Sequence, residues 1–285
     1  MPGAQARLLQ DGRRLHLQHG PIDVILEGWG EPPEVAAAYR QAAAAFEGLL
    51  DELVAELPLL RRPIQEPMPA AQGPVARRMI EAVWPHRAVF VTPMAAVAGA
   101  VADHLLLRMQ QGRRLTRAYV NDGGDIALHL APGTALTLGT VADIEQPRLN
   151  GFLRITAAEP ARGVATSGRG GRSFSLGIAD AVTVLARNAA EADVAATLIA
   201  NAVDLGHPAI ERRPAVELDP DSDLGERLVT VSAGALPPDA VEAALAAGAV
   251  EAERMRACGL IVAAGLWLQG SFRSAGPLPV LPCRA

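Results

Sequence analysis

The stretch from residue 163 to residue 197 constrains the fold most, because it joins a glycine-rich turn, an apolar run and an Ala-rich segment. Small and hydroxyl side chains crowd the turn, namely Thr166, Ser167, Gly168, Gly170 and Gly171. Such residues let backbone N–H groups approach an anion without interference from a Cβ atom. Arg169 and Arg172 add positive charge to the same turn. The turn is therefore a candidate phosphate-binding loop.

The Ala-rich segment that follows predicts a helix over residues 190–203. Asp193 and Thr197 are spaced i and i+4 on this helix, so their oxygens share one face. A carboxylate and a hydroxyl after a glycine-rich loop suit a phosphate site assisted by Mg²⁺. Two structural alternatives stay open at this point. Thr197 can bond back to the Asp193 carbonyl, and glycine-rich turns also join strands without binding a ligand.

Composition excludes several classes of partner. Half of the 285 residues are hydrophobic, the formal net charge is −5 and aromatic residues make up 4%. This balance gives no reason to expect nucleic acid or an anionic membrane as partner. No apolar run reaches the roughly 18–20 residues of a membrane-spanning helix. The first residues lack the apolar core of a secretory signal, so we expect a cytoplasmic protein. Cys258 and Cys283 form no disulfide framework and no metal-ligand spacing.

Hydrophobic periodicity predicts long Ala-rich helices that alternate with groups of short strands. The predicted helices cover residues 34–57, 75–83, 93–110, 190–203 and 237–257. The predicted strands cover residues 15–17, 22–26, 88–91, 118–120, 126–130, 136–141, 151–156, 228–232 and 260–268, with a β-rich run at 173–186. We therefore expect an α+β fold, with a mixed, largely antiparallel sheet packed with helices. We expect a single domain over residues 1–285, which can consist of two lobes.

Two further segments carry candidate functional residues. Small residues surround Ala98 and Gly99 on the helix of residues 93–110, and Asp103 follows where the pattern is still buried in character. The segment of residues 121–125 reads Asn-Asp-Gly-Gly-Asp between two strands. It is a strong hairpin signal, because Asn, Asp and Gly accept positive φ angles. The same turn also offers an amide, carboxylates and glycine backbones to a ligand.

Three separated motifs together resemble the ApbE-like superfamily, whose best-known members are FAD:protein FMN transferases. Residues 98–103, Ala-Gly-Ala-Val-Ala-Asp, resemble the family's Lys-Gly-Tyr-Ala-x-Asp helix start. Residues 121–125 resemble its Asn-x-Gly-Gly turn. Residues 163–168, Gly-Val-Ala-Thr-Ser-Gly, resemble its Ala-Thr-Ser-Gly strand end, and residues 192–197 its Ala-Asp-x-x-x-Thr helix. The chain looks most like the shorter, cytoplasmic prokaryotic branch of that superfamily.

The resemblance implies a cleft for a flavin nucleotide, lined by residues 92–125 and 163–197. Mg²⁺ would be held by Asp193, Thr197 and a backbone carbonyl near Ala95. The residues implied at the nucleotide are Ala98, Gly99, Asp103, Asn121, Gly123, Gly124, Asp125, Thr166, Ser167, Gly168 and Arg169. The implied activity is hydrolysis of FAD to FMN and AMP, or transfer of FMN to a threonine of a partner protein. Apart from the resemblance, Arg172 is a second positive charge on the turn that can contact phosphate or remain solvated.

Departures from the family pattern leave a second hypothesis open. Ala98 replaces the family's flavin-contacting lysine, and Ala100 replaces its aromatic neighbour. The transferases' His-x-x-x-Pro segment is replaced by residues 173–180, which contain no histidine. The alternative is a non-catalytic cofactor-binding or accessory protein on the same scaffold, with a different phosphorylated heterocycle such as a pterin as ligand. Both hypotheses predict a small-molecule nucleotide-like ligand, and the Ala-rich helices can pack internally or across a homodimer axis.

Overall fold

The computed structural model describes residues 3–141, 149–171, 173–278 and 280–281, so Arg172 and Cys283 lie outside the described residues. The strands are β1 (Gln5–Leu8), β2 (Leu15–His19), β3 (Ile22–Gly30), β4 (Leu115–Asp122), β5 (Asp125–Leu130), β6 (Ala135–Val141), β7 (Leu149–Thr156), β8 (Gly163–Ser167), β9 (Ala181–Ala186), β10 (Ile210–Pro214), β11 (Leu228–Ala233), β12 (Ala263–Leu268), β13 (Ser271–Ala275) and β14 (Val280–Leu281). The α-helices are α1 (Pro32–Phe46), α2 (Leu49–Leu60), α3 (Pro74–Val83), α4 (Val97–Gln110), α5 (Ala189–Ala202), α6 (Ala215–Leu218) and α7 (Pro238–Ala257). Short 3₁₀ helices span Trp84–His86 and Pro93–Ala96.

The chain divides into two compact units, and β8 and α5 each contribute residues to both. The first unit is built from the described residues of Met1–Leu136, Thr156–Ala165 and Arg187–Val194. The second unit is built from those of Thr137–Ile155, Thr166–Ala186 and Ala195–Ala285. The expectation of a single domain over residues 1–285 stays a prediction.

The sheet of the first unit buries one face of its middle strands, because buried and half-exposed side chains alternate in β2, in the first half of β3 and in the second half of β4. Its strand order is β1-β2-β3-β4-β5-β8, and each of these neighbouring pairs is antiparallel. In β2 and β3 every second side chain, including Leu17, Val24 and Leu26, points into the core. α4 packs against β4 and β5 on this core, and it also contacts α1 and α3. These contacts place α4 among the strands and helices of the first unit.

One predicted helix of the first unit is two helices. The expectation of a continuous helix over residues 34–57 is wrong, because α1 ends at Phe46 and α2 begins at Leu49. Gly48 lies between them with a φ angle of +75°. Only glycine adopts this left-handed conformation at little cost, so the chain turns there. α2 then continues past Pro58 to Leu60.

The second unit is organised around the fully buried strand β9. All its side chains are buried, and it pairs antiparallel with β12, which in turn pairs antiparallel with β13. A strand whose side chains are all buried is typical of a sheet covered on both faces. α7 packs against β12 and β13. β6, β7 and β14 form a three-stranded sheet, and β10 and β11 form an antiparallel ribbon.

Two predicted β segments are wrong in part or in whole. Residues 88–91 form no strand, because the chain leaves the 3₁₀ helix at His86 in a turn and the Val91 carbonyl accepts the Ile64 N–H at 2.9 Å. Of the β-rich run 173–186, only β9 is a strand. The N–H of Ile178 donates instead to the carbonyl of Val203, at 2.9 Å, next to the end of α5. The remaining long helices and the antiparallel sheet confirm the expected α+β class.

Candidate functional site

The N-terminus of α5 is held by two kinds of partner. Asn188 stands just before the helix, and its side-chain oxygen accepts the Glu191 N–H at 2.9 Å. Its carbonyl accepts the Ala192 N–H at 3.2 Å. Asn is a preferred N-cap residue because it satisfies the N–H groups that the helix itself leaves unpaired. The two N–H groups before these, of Ala189 and Ala190, therefore need another acceptor.

Asp103 of α4 supplies that acceptor within the first unit. Its Oδ1 accepts the Ala189 N–H at 3.0 Å, and its Oδ2 accepts the Ala190 N–H at 3.1 Å. Arg78 of α3 donates to Oδ2 from Nη1 at 3.3 Å. Asp103 is buried, which explains why the sequence pattern looks apolar around it. A negative charge at a helix N-terminus is favourable, since the helix dipole is positive there.

Asp193 of α5 makes the reverse contact to α4. Its Oδ2 accepts the Gly99 N–H at 3.0 Å, and the Ala98 N–H also donates to this carboxylate. Each helix thus carries an aspartate that caps the N-terminus of the other. We use the name reciprocal cap for this arrangement, which consists of Asp103, Asp193 and the four backbone N–H groups that donate to them.

The reciprocal cap requires a very close approach of the two helices. A Cβ atom on Gly99 would lie 2.5 Å from the carbonyl carbon of Ala189 and 2.7 Å from the nitrogen of Ala190. A Cβ atom on Gly163 of β8 would overlap the backbone of Asn188 and Ala189 in the same way. Both glycines of the family motifs are therefore needed for backbone packing around the start of α5.

Burial and neighbouring charge set the titration of both aspartates. Burial raises the pKa of Asp193 to about 7, the Gly99 N–H opposes this, and the charge of Asp122 raises it further. Burial likewise raises the pKa of Asp103, while the Ala189 N–H and Arg78 lower it. Three carboxylates therefore share one weakly solvated region of the first unit.

Asn188 is a residue that the sequence interpretation missed, and Asp122 was named there only as part of the hairpin turn. Asp122 is buried, and it follows Ala118 and Val120 on the inward face of β4. The period of two along the strand therefore contained the signal for a carboxylate that points inward. The signal for Asn188 was its place directly before an Ala-rich helix, where an N-cap residue is expected.

The turn between β4 and β5 is the hairpin that its sequence indicates. Asp122 and Asp125 face each other as the last pair of the ladder, and Gly123 and Gly124 form the loop with φ angles of +64° and +117°. The Asn121 side-chain oxygen accepts the Gly124 N–H at 2.8 Å. These contacts give the Asn and Gly residues of the turn a structural role. That the turn also contacts a nucleotide stays a prediction.

The glycine-rich turn belongs to the second unit and is tied to β9. The hydroxyl oxygens of Thr166 and Thr183 lie 2.9 Å apart and share a hydrogen bond. A Cβ atom on Gly168 would lie 2.9 Å from the carbonyl carbon of Asp180. Arg169 donates from Nε to Oδ1 of Asp180 at 3.0 Å, and its own N–H donates to the Ala179 carbonyl at 2.9 Å. The side chains of Thr166 and Arg169 thus already have partners within the protein.

The remaining predicted residues fall in different parts of the chain. Ala95 is half-buried in the 3₁₀ helix before α4, and its N–H donates to the Thr92 carbonyl at 3.1 Å. Ser167 ends β8 and is half-buried, as is Thr197 in the part of α5 that belongs to the second unit. The structure therefore brings together Ala98, Gly99, Asp103 and Asp193 by direct hydrogen bonds or backbone contact.

Two general properties concern metals and membranes. Within the described ranges, no group of three or more His, Cys, Asp or Glu side chains is placed to hold a metal ion. The predicted magnesium ligands are one carboxylate, one hydroxyl and one backbone carbonyl, and such a set contains only one of these four side-chain types. The magnesium site therefore stays a prediction. In the part of the chain that the structure describes, no helix is long and apolar enough to cross a membrane.

Comparison with solved structures defines the class of fold. The chain is similar to the structure titled flavin transferase ApbE from Vibrio cholerae, with a TM-score of 0.51 and 12% sequence identity, over 92% of this chain and 96% of that chain. At this identity the likeness concerns the fold alone. Residues 6–274 match the protein family described as AbpE bacteria, and the chain belongs to that family. The resemblance to the ApbE-like superfamily is thereby confirmed.

Archaeal relatives cover shorter parts of the chain. A UPF0280 protein of Methanothermobacter thermautotrophicus is 37% identical over 148 residues, which are 49% of this chain and 52% of the relative. One of Archaeoglobus fulgidus is 33% identical over 168 residues, or 58% of this chain and 66% of the relative. One of Methanothrix thermoacetophila is 37% identical over 189 residues, or 65% of this chain and 75% of the relative. The match to the first of these relatives thus spans about half of its length.

Proposed function

We propose that this protein binds a flavin nucleotide, with FAD as the first candidate, and acts on its pyrophosphate with the help of Mg²⁺. The observation that carries the proposal is the half-buried Asp193 carboxylate, which a family-motif helix presents beside the N-terminus of α4. Membership of the AbpE bacteria family and the fold shared with a protein titled flavin transferase support the choice of ligand. A cytoplasmic location is part of the same proposal.

The chemistry of the proposed metal ligands fits Mg²⁺. Asp193 supplies a carboxylate oxygen, Thr197 a hydroxyl and Ala95 a carbonyl, and Mg²⁺ prefers oxygen ligands of this kind. Asp193 uses Oδ2 to accept the Gly99 N–H, but a carboxylate has about four acceptor positions in all. Burial and the charge of Asp122 raise the pKa of Asp193, and a bound cation would favour the ionised form of this carboxylate. Bound Mg²⁺ would neutralise pyrophosphate charge and polarise the phosphorus–oxygen bond under attack.

The protein's own residues then have separate tasks. Asp193 holds the cation, and the backbone of Ala98 and Gly99 fixes the direction of its carboxylate. The hairpin turn contacts the nucleotide through Asn121, Gly123, Gly124 and Asp125. Water attacks the pyrophosphate in the hydrolytic reaction, which gives FMN and AMP. In the transfer reaction a threonine hydroxyl of a partner protein attacks instead, and AMP leaves as before.

The test is to incubate the purified protein with FAD and Mg²⁺ and to quantify AMP and FMN by chromatography. The unmutated protein should form both products in equal amounts, and chelation of the metal should stop the reaction. Asp193→Asn keeps an oxygen for the Gly99 N–H but removes the charge, so turnover should fall at least 100-fold, as expected for loss of a metal ligand. Glu191→Gln is the matched control, since Glu191 lies on the same helix and pairs with Arg187 at 3.1 Å. Equal turnover in both variants would refute the role of Asp193.

A specific observation favours a second candidate, a non-catalytic cofactor-binding or accessory protein. Thr166 is paired with Thr183, and Arg169 is paired with Asp180, so polar groups expected at the phosphates have internal partners. Ala98 stands where the family has its flavin-contacting lysine. This candidate predicts a small molecule that co-purifies with the protein, identified by mass spectrometry as a flavin or another phosphorylated heterocycle. Stoichiometric AMP release from added FAD would exclude it.

A further inference from the structure

The capping of α5 by Asp103 connects the start of this helix to a different helix. The Asn188 cap is local, because it satisfies Glu191 and Ala192 from the residue just before the helix. Asp103 instead reaches Ala189 and Ala190 from the second turn of α4. Loss of Asn188 would therefore weaken the helix end, whereas loss of Asp103 would also release it from α4.

Asp193 lies four residues after Ala189, so it stands one helical turn beyond the point that Asp103 holds. The same spacing separates Gly99 from Asp103 on α4. Because helix backbones are stiff over one turn, the position of Ala189 and Ala190 determines where the Asp193 carboxylate meets Gly99. The close backbone approach at Gly99 leaves little room for any other placement of the two helices.

Asp103 is itself held in place. Its side chain is buried with 8% of its surface exposed, and the Arg78 guanidinium, with 36% exposed, donates to Oδ2 at 3.3 Å. Two backbone donors and one charged donor thus fix both oxygens. A buried carboxylate with this many donors has one orientation, because every other orientation would leave buried N–H groups unpaired.

We propose that Asp103 is a positioning residue for Asp193: through the first turn of α5 it sets the geometry with which Asp193 presents its carboxylate to a divalent cation. The inference rests on the proposed function, which makes Asp193 a metal ligand. Asp103 contacts neither the cation nor the nucleotide in this account. Residues that orient a metal ligand from behind typically affect metal affinity by 10–100-fold when they are mutated.

The experiment measures the affinity for Mn²⁺, as a paramagnetic substitute for Mg²⁺, from the electron paramagnetic resonance signal of the free ion, with and without FAD. Asp103→Asn has the same shape, but its NH₂ group faces either the Ala189 N–H or, when flipped, both the Ala190 N–H and Arg78. Its Mn²⁺ affinity should be about tenfold or more below that of the unmutated protein. Asn188→Ala is the control, because it removes another cap of the same helix end. The Mn²⁺ affinity of Asn188→Ala should stay within about threefold of that of the unmutated protein, even if its melting temperature falls as much as that of Asp103→Asn.

Arg78→Gln keeps the test decisive if Asp103→Asn does not fold. Arg78 is partly exposed, and this substitution removes its charged hydrogen bond to Asp103. We expect a smaller loss of Mn²⁺ affinity, of about threefold or more. If Asn188→Ala weakens Mn²⁺ as much as Asp103→Asn at equal stability, Asp103 only stabilises the helix and the inference is wrong. If the unmutated protein binds no Mn²⁺ in either condition, the metal site of the proposed function fails as well. Binding by the unmutated protein with no effect of Asp103→Asn or Arg78→Gln overturns the inference alone.

Discussion

Substitution of Gly99 by alanine tests the packing of the reciprocal cap, because two physical effects predict opposite signs. In an exposed helix, alanine is more favourable than glycine by about 1 kcal/mol. Gly99 is buried, however, and a Cβ atom there would lie 2.5 Å from the carbonyl carbon of Ala189. Ordinary contacts between carbon atoms are about 3.5–4.0 Å long, so the start of α5 would have to move by about 1 Å.

The free-energy cost of this displacement follows from the overpacking and from the hydrogen bonds that it stretches. Overpacking of a core costs about 1–3 kcal/mol. Hydrogen bonds to charged groups contribute about 1.5–3 kcal/mol each, and the bonds of Asp103 to Ala189 and Ala190 at 3.0 and 3.1 Å would weaken. After subtraction of the gain in helix propensity, we expect Gly99→Ala to lower the free energy of unfolding by about 2–4 kcal/mol.

The assay is urea denaturation followed by circular dichroism, together with the melting temperature. A loss of about 3 kcal/mol lowers the melting temperature by about 6–12 °C in a chain of this size. Gly206→Ala is the control, because Gly206 has no atom within 4 Å of the added Cβ position. Gly99→Ala with a stability equal to or above that of the unmutated protein would refute the close approach of α4 and α5.

Two further predictions concern other charged groups. Asp180→Asn should lower the free energy of unfolding by about 1.5–3 kcal/mol, measured by urea denaturation, because its Oδ1 loses the charged partner Arg169 at 3.0 Å. Burial, with the positive charges of Arg108 and Arg78, lowers the pKa of His104 from 6.5 to about 4. The unfolded chain then binds the proton more tightly, so stability should fall as the pH drops from 6.5 towards 4, and His104→Gln should flatten that part of the pH dependence. A pH profile that is the same in both proteins would contradict the assignment.

The sequence predicts the elements well where local pattern and tertiary packing agree. The hairpin of β4 and β5 follows from Gly123 and Gly124, whose positive φ angles the residue types already indicate. Helices α3, α5 and α7 match the expected ranges within about two residues. The break between α1 and α2 was missed, although Gly48 was its local signal.

The partners of the candidate site residues depend on contacts between distant parts of the chain. The resemblance places Gly99 at the nucleotide, but its space is filled by the backbone of Ala189, and a Cβ atom on Gly163 would likewise meet the backbone of Asn188. In the sequence Asp103 is only a motif residue. Its role as a hydrogen-bond acceptor depends on the packing of α4 against the start of α5. Residues 86 positions apart in the chain share that hydrogen bond, and no local pattern contains such a pairing.

The most direct test of the proposed function is the binding of FAD to the purified protein, followed by flavin fluorescence with and without Mg²⁺. The unmutated protein should bind FAD at least tenfold more tightly with Mg²⁺ than without it, because the cation links the pyrophosphate to Asp193. Asp193→Asn should bind FAD with no dependence on Mg²⁺, while Glu191→Gln should behave as the unmutated protein does. FAD binding that is absent, or unaffected by both Mg²⁺ and Asp193→Asn, would contradict a metal-assisted flavin site.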